Sequence, residues 1–381
     1  MNLMTQYSAI LTERIVRSLA IRNQSALSPW LERGAGEIAL YLHFSKMHSS
    51  DLEAIRSSAI EAMINGMLLD PRLGFFHGIN GIGWVLSQTV GDIHEIEPVL
   101  TYIDKILSNT LADNPGVPLA FVEGLTGIGI YAAERARRTS NHLLLDQCLD
   151  KIKIKYRMTL AGTSPDGVDD RFQPTGMAHG IAGVCSFLAG LSNQGTKDTR
   201  NWIRQLSDWL LKHTGNYSPH GSRFPFSVPL NGHKEIYGTY LGWCYGDLGI
   251  ACALYNSGIA LSDSNLKTLA VGIALDCAQR GAKACVSDEA GLCHGTAGIA
   301  YLFHYLWHRT DEVAFEAARD YWVQQTLELL NAQRNVLQGS NSESMCLGAQ
   351  GFLQGPVGIS LILNDIFSNQ LSDWKQALLL Y

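Results

Sequence analysis

Residues 291–300 read GLCHGTAGIA, which places Cys293 and His294 directly before a G-x-x-G element followed by apolar residues. Residues 243–251, WCYGDLGIA, repeat the pattern with Cys244 in the equivalent position. The same element recurs along the chain with its first glycine at Gly78, Gly124, Gly180, Gly246, Gly295 and Gly355. A degenerate first copy begins at Gly34, where Glu37 replaces the second glycine. Seven copies spaced 44 to 66 residues apart indicate a repeat architecture.

Each copy opens a short segment that is apolar nearly all round, such as residues 299–307, IAYLFHYLW, and such a helix is buried on every side. A longer amphipathic segment separates successive copies. In residues 51–67, for example, the apolar side chains share one helical face, namely those of Leu52, Ile55, Ala59 and Met63. Strict alternation of apolar and polar residues is absent. The sequence therefore predicts an all-α chain of seven helix pairs, each with one buried and one half-exposed helix.

Buried helices need neighbours on all sides, and seven equivalent pairs need an arrangement without an unburied end. An inner ring of seven helices inside an outer ring meets both demands, in a single domain over residues 1–381. Glycine allows close backbone approach where the inner helices begin. If all seven inner helices start at the same end, the residues before each G-x-x-G converge on one central spot.

Composition narrows the class of protein. Hydrophobic residues make up 46% and charged residues 17%, so a large core is expected. The net charge of −6 argues against nucleic acid as a partner. The N-terminal residues show no signal peptide, and no apolar stretch approaches the roughly 20 residues of a membrane span. Eight cysteines without disulfide-framework spacing indicate reduced thiols in the cytoplasm.

Two linkers are long and rich in Gly, Pro and Ser. They cover residues 161–174 and 214–242, and both lead directly into a copy of the repeat. Long loops in compact folds are often lids or binding surfaces. We expect these two linkers to form the rim of the central cavity.

The residues before each first glycine are the candidates for a site, and in chain order they are Arg33, His77, Glu123, His179, Tyr245, His294 and Gln354. Only copies five and six carry a cysteine one place earlier, at Cys244 and Cys293. Two thiolates and one imidazole form a three-ligand zinc set that leaves the fourth tetrahedral position open, as in catalytic zinc sites. The sequence predicts zinc bound by Cys244, Cys293 and His294.

The alternative for any free cysteine is a small buried hydrophobic residue. That interpretation is preferred for the other six, which are Cys148, Cys185, Cys252, Cys277, Cys285 and Cys346. It is not preferred for Cys244 and Cys293, because they occupy equivalent repeat positions beside His294.

His179 is the candidate general acid, since it lies one copy from Cys244 and close to the long linkers. The alternative is a structural histidine that hydrogen-bonds a neighbouring loop, and His77 is assigned to that class. Tyr245 is a candidate hydrogen-bond donor into the site. Glu123 is the carboxylate best placed to pair with a ligand or with His179. The converging positions hold no pair of closely spaced acids, which disfavours glycosidase chemistry.

Three motifs occur in a fixed order: HGIAG with His179, WCYGD with Cys244, and CHG with Cys293 and His294. On these motifs the chain resembles the lanthionine synthetase C-like (LanC-type) cyclase family, over essentially its whole length. The resemblance implies an α/α toroid of seven inner and seven outer helices. It also implies the same three zinc ligands and an acid/base role for His179.

The activity implied by this resemblance is addition of a peptide cysteine thiol to dehydroalanine or dehydrobutyrine, which closes a thioether ring. The implied partners are a dehydrated precursor peptide, a dehydratase and a transporter. Two positions depart from the family pattern, because Tyr240 stands where an arginine is frequent and Ala120 where an aspartate is frequent. Two rival functions follow, namely addition of glutathione or another small thiol to dehydrated sites, and a zinc-containing scaffold without turnover.

Overall fold

The computed structural model describes residues 28–45, 50–163, 172–193, 199–217, 221–230, 237–281, 285, 289–338 and 351–381. Cys346 and parts of both long linkers lie outside these residues. The described chain is mainly helical, as predicted. In chain order its α-helices are α1 (Ala35–Phe44), α2 (Ser50–Leu69), α3 (Ile79–Thr89), α4 (Ile93–Asp113), α5 (Leu125–Thr139), α6 (Leu143–Leu160), α7 (Ile181–Asn193), α8 (Arg200–Lys212), α9 (Asp247–Ala260), α10 (Ser264–Ala278), α11 (Thr296–Thr310), α12 (Val313–Gln338) and α13 (Pro356–Phe367).

The odd-numbered helices are the inner helices predicted from the repeat. Each of them begins at the residue directly after the first glycine of a copy. In α11 every residue from Thr296 to Leu306 is buried. The even-numbered helices are half-exposed; in α2 the buried residues are Leu52, Ala59, Met63 and Met67. Each even-numbered helix packs against the inner helix that precedes it.

The described residues fall into two compact units. One contains residues 71–284 and 375–381, and in it α3, α5, α7 and α9 pack side by side in that order. The other contains the described part of residues 1–70 with residues 285–374, and in it α11 packs against α13 and α13 against α1. A 3₁₀ helix covers Asp373–Leu378. None of the described helices has the length and apolarity that crossing a membrane requires.

A small sheet joins the two long linkers, which the sequence did not predict. Strand β1 (Phe172–Pro174) pairs antiparallel with β2 (Ser227–Pro229), and Gln173 lies opposite Val228. A further bridge pairs Pro225 with Gly238. Both strands are too short to leave an alternating pattern in the sequence. Their pairing fixes the second linker against the turn that leads into α7.

The second glycine of each G-x-x-G is required by a close backbone contact. A methyl group on Gly81 would lie 1.6 Å from the carbonyl oxygen of Phe75, and one on Gly298 would lie 1.7 Å from that of Leu292. In both cases the carbonyl belongs to the residue six places earlier in the same copy. The predicted crowding at the helix starts is therefore present at these glycines. The close carbonyl belongs to the turn in front of the helix and not to a neighbouring helix.

Candidate metal centre and proton-transfer site

Backbone hydrogen bonds connect the turns that precede successive inner helices. The amide of Phe75 donates to the carbonyl of Val122 (2.7 Å), and the amide of Val122 donates to the carbonyl of Ala178 (3.1 Å). The amide of Ala178 donates in turn to the carbonyl of Cys244 (3.1 Å). In each link the acceptor lies two residues before the first glycine of its copy. This chain of hydrogen bonds holds equivalent repeat positions next to one another, as the sequence analysis had assumed.

The same link recurs between the sixth and seventh copies. The amides of Leu292 and Cys293 both donate to the carbonyl of Leu353, at 2.8 and 2.9 Å. The last link uses a side chain, because the amide of Leu353 donates to the carboxylate of Glu32 at 2.8 Å. Glu32 occupies in the first copy the position that supplies a carbonyl in the others. Cys293 and His294 are thus fixed by the turn in front of α13.

Cys244, Cys293 and His294 form a cluster of metal-binding side chains. Their ligand atoms all lie within 4.8 Å of one another; Cys244 is buried, and the other two are partly exposed. Each cysteine lies three residues before the first residue of a helix, Asp247 or Thr296, on the side where the positive end of the helix dipole favours a thiolate. Two sulfurs and one imidazole suit zinc, which takes thiolate and imidazole in tetrahedral sites. The donor set is therefore compatible with zinc.

Gln354 lies beside the imidazole of His294. Its amide nitrogen is 3.3 Å from both ring nitrogens of His294. Its amide oxygen is buried and has no hydrogen-bond partner among the described residues. Rotating the amide by half a turn would place the oxygen toward the ring, where it would accept an N–H from His294. Such an outer hydrogen bond fixes which ring nitrogen is left for a metal.

Other cysteines have the environment of core residues. Cys148, Cys185, Cys252 and Cys277 are fully buried. Burial raises the pKa of the Cys185 thiol to about 12 and raises the pKa of the other three thiols further. Neutral thiols of this kind are poor metal ligands and nucleophiles. Cys285 is partly exposed, and its sulfur lies 3.4 Å from the carbonyl oxygen of His294.

His179, Glu123 and Tyr245 come together in one compact unit. The Nδ1 atom of His179 lies 3.1 Å from a carboxylate oxygen of Glu123. The imidazole stacks on the Tyr245 ring, with 5.3 Å between centroids and an interplanar angle of 18°. Side-chain exposure is 30% for His179 and 52% for Glu123, so the pair is open to solvent and to a substrate. Because Tyr245 follows Cys244 directly, this stack lies next to a residue of the metal-binding cluster.

Asp247 lies near the site and was not predicted as a functional residue from the sequence. The carboxylate of Asp247, fully buried at the start of α9, accepts hydrogen bonds from the backbone of Arg223 (2.7 Å) and Phe224 (3.1 Å). It also accepts from the Thr239 hydroxyl (2.8 Å), and an Arg280 nitrogen lies 2.8 Å away. Asp247 thereby fastens the second linker to the helix that follows Cys244. A charged residue opening an otherwise apolar helix was the available signal.

Phe226, in the second linker, was also missed. Its ring stacks on Tyr245 with 4.0 Å between centroids, yet 40% of the residue is exposed. No repeat or motif marks this phenylalanine, because it reaches the site through the pairing of β1 with β2. Phe226 therefore brings the second linker into contact with Tyr245.

The remaining predicted positions have simpler environments. Trp243 packs in the core, and its indole N–H donates to the carbonyl of Leu378 at 2.8 Å. Ala120 is buried, and the carbonyl of Tyr240 accepts a hydrogen bond from Asp247 at 3.2 Å. His77 is exposed to solvent.

Comparison with known proteins identifies the chain's relatives. No curated protein matches the sequence. Among solved structures, one titled "Nisin cyclase" is similar to this chain with a TM-score of 0.72 and 20% sequence identity, covering 97% of this chain and 96% of that one. This similarity confirms the predicted α/α toroid fold. The sequence profile described as "Lanthionine synthetase C-like protein" matches residues 28–379. The chain, with its seven G-x-x-G copies, therefore belongs to the lanthionine synthetase C-like protein family.

Proposed function

We propose that this protein is a zinc-dependent cyclase that adds peptide cysteine thiols to dehydroalanine or dehydrobutyrine and so forms thioether rings. The observation that carries the proposal is the cluster of Cys244, Cys293 and His294, whose ligand atoms lie within 4.8 Å of one another. His179, which pairs with Glu123, stacks on Tyr245, the residue that directly follows Cys244. Membership of the family and the likeness to nisin cyclase support the same chemistry.

The reaction needs a sulfur nucleophile and a proton donor. Zinc held by the two cysteines and His294 would lower the pKa of a substrate thiol and supply it as thiolate. When the sulfur forms its bond to the β-carbon of the dehydro residue, the electron pair of the double bond moves onto the α-carbon and its carbonyl. That enolate must be protonated at the α-carbon. No electrons are exchanged with an oxidant or reductant, so the chain needs no redox group for this step.

His179 is the proposed proton donor. Its Nδ1 faces the Glu123 carboxylate, which orients the imidazole and leaves the other ring nitrogen to deliver a proton. Stacking on Tyr245 restricts rotation of the imidazole, so that protonation takes place from one face of the enolate. Protonation of the enolate from a single face gives a single configuration at the new α-carbon. In this proposal Tyr245 stacks on the acid, and Glu123 fixes the direction of its Nδ1 atom.

A peptide with one dehydroalanine and one cysteine tests the proposal. Ring closure leaves the mass unchanged but removes the free thiol, so mass spectrometry after alkylation distinguishes product from substrate. We expect alkylation to fall to background with the zinc-loaded protein. An unchanged count of free thiols on this peptide and on longer dehydrated peptides would contradict cyclase activity. Adducts formed with added glutathione, without ring closure, would favour the rival small-thiol function, and zinc binding without either product would favour the scaffold.

Variants of the acid and its partner test the roles separately. We expect His179→Ala to keep its zinc and lose ring closure or its stereochemical control. Glu123→Gln should lower kcat about 10-fold or more, as loss of an outer partner commonly does. Glu95→Gln removes an exposed acid of α4 and is the matched control, with unchanged kcat expected. Full activity in His179→Ala would remove this residue as the acid.

The proposal also sets requirements on surroundings and partners. Cys244 and Cys293 must stay reduced to bind metal, which fits a reducing compartment such as the cytoplasm. The dehydro residue must be made first, so a dehydratase acting on the same precursor peptide is the proposed upstream partner. A transporter for the finished peptide is the proposed downstream partner. Both follow from the family and not from a surface of this chain.

A further inference from the structure

The Tyr245 ring stacks with two other rings. One is the imidazole of His179, and the other is the phenyl ring of Phe226, which lies closer and almost parallel at 4.0 Å and 23°. Phe226 stands 51 residues from Thr175 and belongs to no copy of the repeat. Phe226 is one of eleven large hydrophobic residues that are exposed in the described part of the chain, at 40%. A side chain that contributed only to the core would be covered.

The backbone around Phe226 is held on both sides. The Thr175 hydroxyl donates to the carbonyl of Pro225 at 2.6 Å, and the Thr175 amide donates to the carbonyl of Phe226 at 3.2 Å. The Phe226 amide donates to the carbonyl of Tyr237 at 2.7 Å. Thr175 lies four residues before His179 and in the same turn. The position of the phenyl ring is therefore tied to the turn that carries the proposed acid.

We propose that Phe226 is a positioning residue for His179 and acts through Tyr245. This inference rests on the proposed function, because it assigns Phe226 to the orientation of that proton donor. His179 and Glu123 are both partly exposed, so their hydrogen bond alone restrains the imidazole weakly. Phe226 limits the positions open to the Tyr245 ring. Tyr245 in turn limits those open to the imidazole, and the acid keeps one face toward the substrate.

The kinetic test compares Phe226→Ala with two rescue variants. Losing one stacked ring pair should lower kcat about two- to tenfold and leave KM within about twofold. It should also give a mixture of configurations at the α-carbon, because a displaced acid lets solvent protonate either face. Chiral separation of the hydrolysed lanthionine measures that ratio. Phe226→Tyr and Phe226→Trp keep an aromatic ring and should restore both values, whereas Phe226→Leu keeps apolar volume only and should not.

Tyr102→Ala is the matched control, since Tyr102 has the same 40% exposure in the same compact unit and lies on α4. It should leave kcat and the configuration ratio unchanged. All variants should keep the zinc content and the unfolding temperature of the wild-type protein. A wild-type rate and a single configuration in Phe226→Ala would overturn the proposal, as would full rescue by leucine.

A second measurement does not depend on turnover. With the protein labelled in its 12 histidines, the His179 ring signal is assigned by its loss in His179→Gln, and its chemical shift reports the nearby aromatic rings. We expect this signal to move in Phe226→Ala and to stay in place in Tyr102→Ala. An unmoved signal in Phe226→Ala would refute the positioning role. If the wild-type protein closes no ring, the proposed function fails, and the chemical shift still decides whether Phe226 orients His179.

Discussion

At the scale of single residues, the Glu32 side chain accepts a hydrogen bond that backbone carbonyls accept at the equivalent position of other copies. Its carboxylate accepts the amide of Leu353 at 2.8 Å, and only 5% of the residue is exposed. A backbone carbonyl carries no charge, whereas an ionised carboxylate in this position must lose its water. Burial therefore raises the pKa of Glu32 from 4.5 to about 7, although the Leu353 amide and Arg33 act in the opposite direction.

This shift makes stability depend on pH. Between pH 4.5 and 7 the folded chain keeps a proton on Glu32 that the unfolded chain releases. The contribution of Glu32 to stability is therefore fully present below this window and is lost as the pH rises through it, by about 3 kcal/mol in total. Glu32→Gln keeps an acceptor for Leu353 without a charge, so this part of the pH dependence should disappear. Thermal unfolding of both proteins from pH 5 to 8 measures the difference.

In that comparison the two proteins should unfold at similar temperatures near pH 5, and the variant should be more stable near pH 8. Equal pH dependence in the two proteins would show that Glu32 is not the group responsible. Glu95→Gln serves as the control for removal of an exposed acid and should follow the wild type throughout.

The metal-binding cluster allows a comparison between two cysteines close in sequence. Cys293 belongs to the cluster, whereas the sulfur of Cys285, which is not part of it, lies 3.4 Å from the carbonyl oxygen of His294. Cys293→Ala should lose about one equivalent of zinc because two ligands hold zinc poorly. Cys285→Ala should keep it. Metal analysis by mass spectrometry after gel filtration checks both, and full zinc content in Cys293→Ala would refute this ligand set.

At the scale of the helix, the G-x-x-G element works as a backbone joint. The second glycine lets the first turn of the inner helix lie against the carbonyl six residues earlier, as at Gly298 and Leu292. The first glycine ends the preceding turn in extended backbone and directly precedes the helix. The residue before it, such as His294, is thereby held at the mouth of the helix. The G-x-x-G element thus starts the inner helix and also fixes the position of the residue before it.

Alanine at the second glycine should damage this joint. In Gly298→Ala the new methyl would lie 1.7 Å from the Leu292 oxygen, so the backbone must move, at a cost of about 3 kcal/mol. Gly272→Ala is the control, because Gly272 lies inside α10 with nothing within 4 Å of the added methyl. There alanine should stabilise the protein by about 0.5–1 kcal/mol. Denaturant unfolding measures the stability of both variants. Equal stability would contradict the claim that the helix start requires glycine at position 298.

The same joint explains which features the sequence could predict. The inner helices and the equivalent positions of Cys244 and Cys293 follow from the repeat, because each copy builds its helix start from its own residues. Phe226 depends instead on strand pairing between two linkers, and such pairing leaves no periodic signal over three residues. The sequence shows an aspartate at position 247, but its hydrogen-bond partners lie in a linker that carries no motif, so its role could not be predicted.

At the scale of the whole molecule, the fold depends on contacts between distant parts of the chain. The repeat predicted a ring of helix pairs, and the likeness to a solved toroid confirms that fold class. The repeat pattern does not predict, however, where residues 375–381 pack. Residues 375–381 belong to the compact unit of residues 71–284, and the residues before them belong to the other unit. The Ser186 hydroxyl donates to the carbonyl of Leu379 at 2.6 Å, and Trp243 donates to that of Leu378.

These contacts make the end of the chain part of the core that supports Cys244. Leu380 is fully buried there, so Leu380→Ala should destabilise the protein by about 2–5 kcal/mol. Leu269→Ala, on α10 of the same unit, removes a leucine that is 45% exposed and should change stability by less than about 0.5 kcal/mol. Since Trp243 directly precedes Cys244, loosening the C-terminal residues should also weaken zinc binding. Unfolding in urea with and without a chelator measures both effects, and a Leu380→Ala protein as stable as Leu269→Ala would show that the chain end is dispensable.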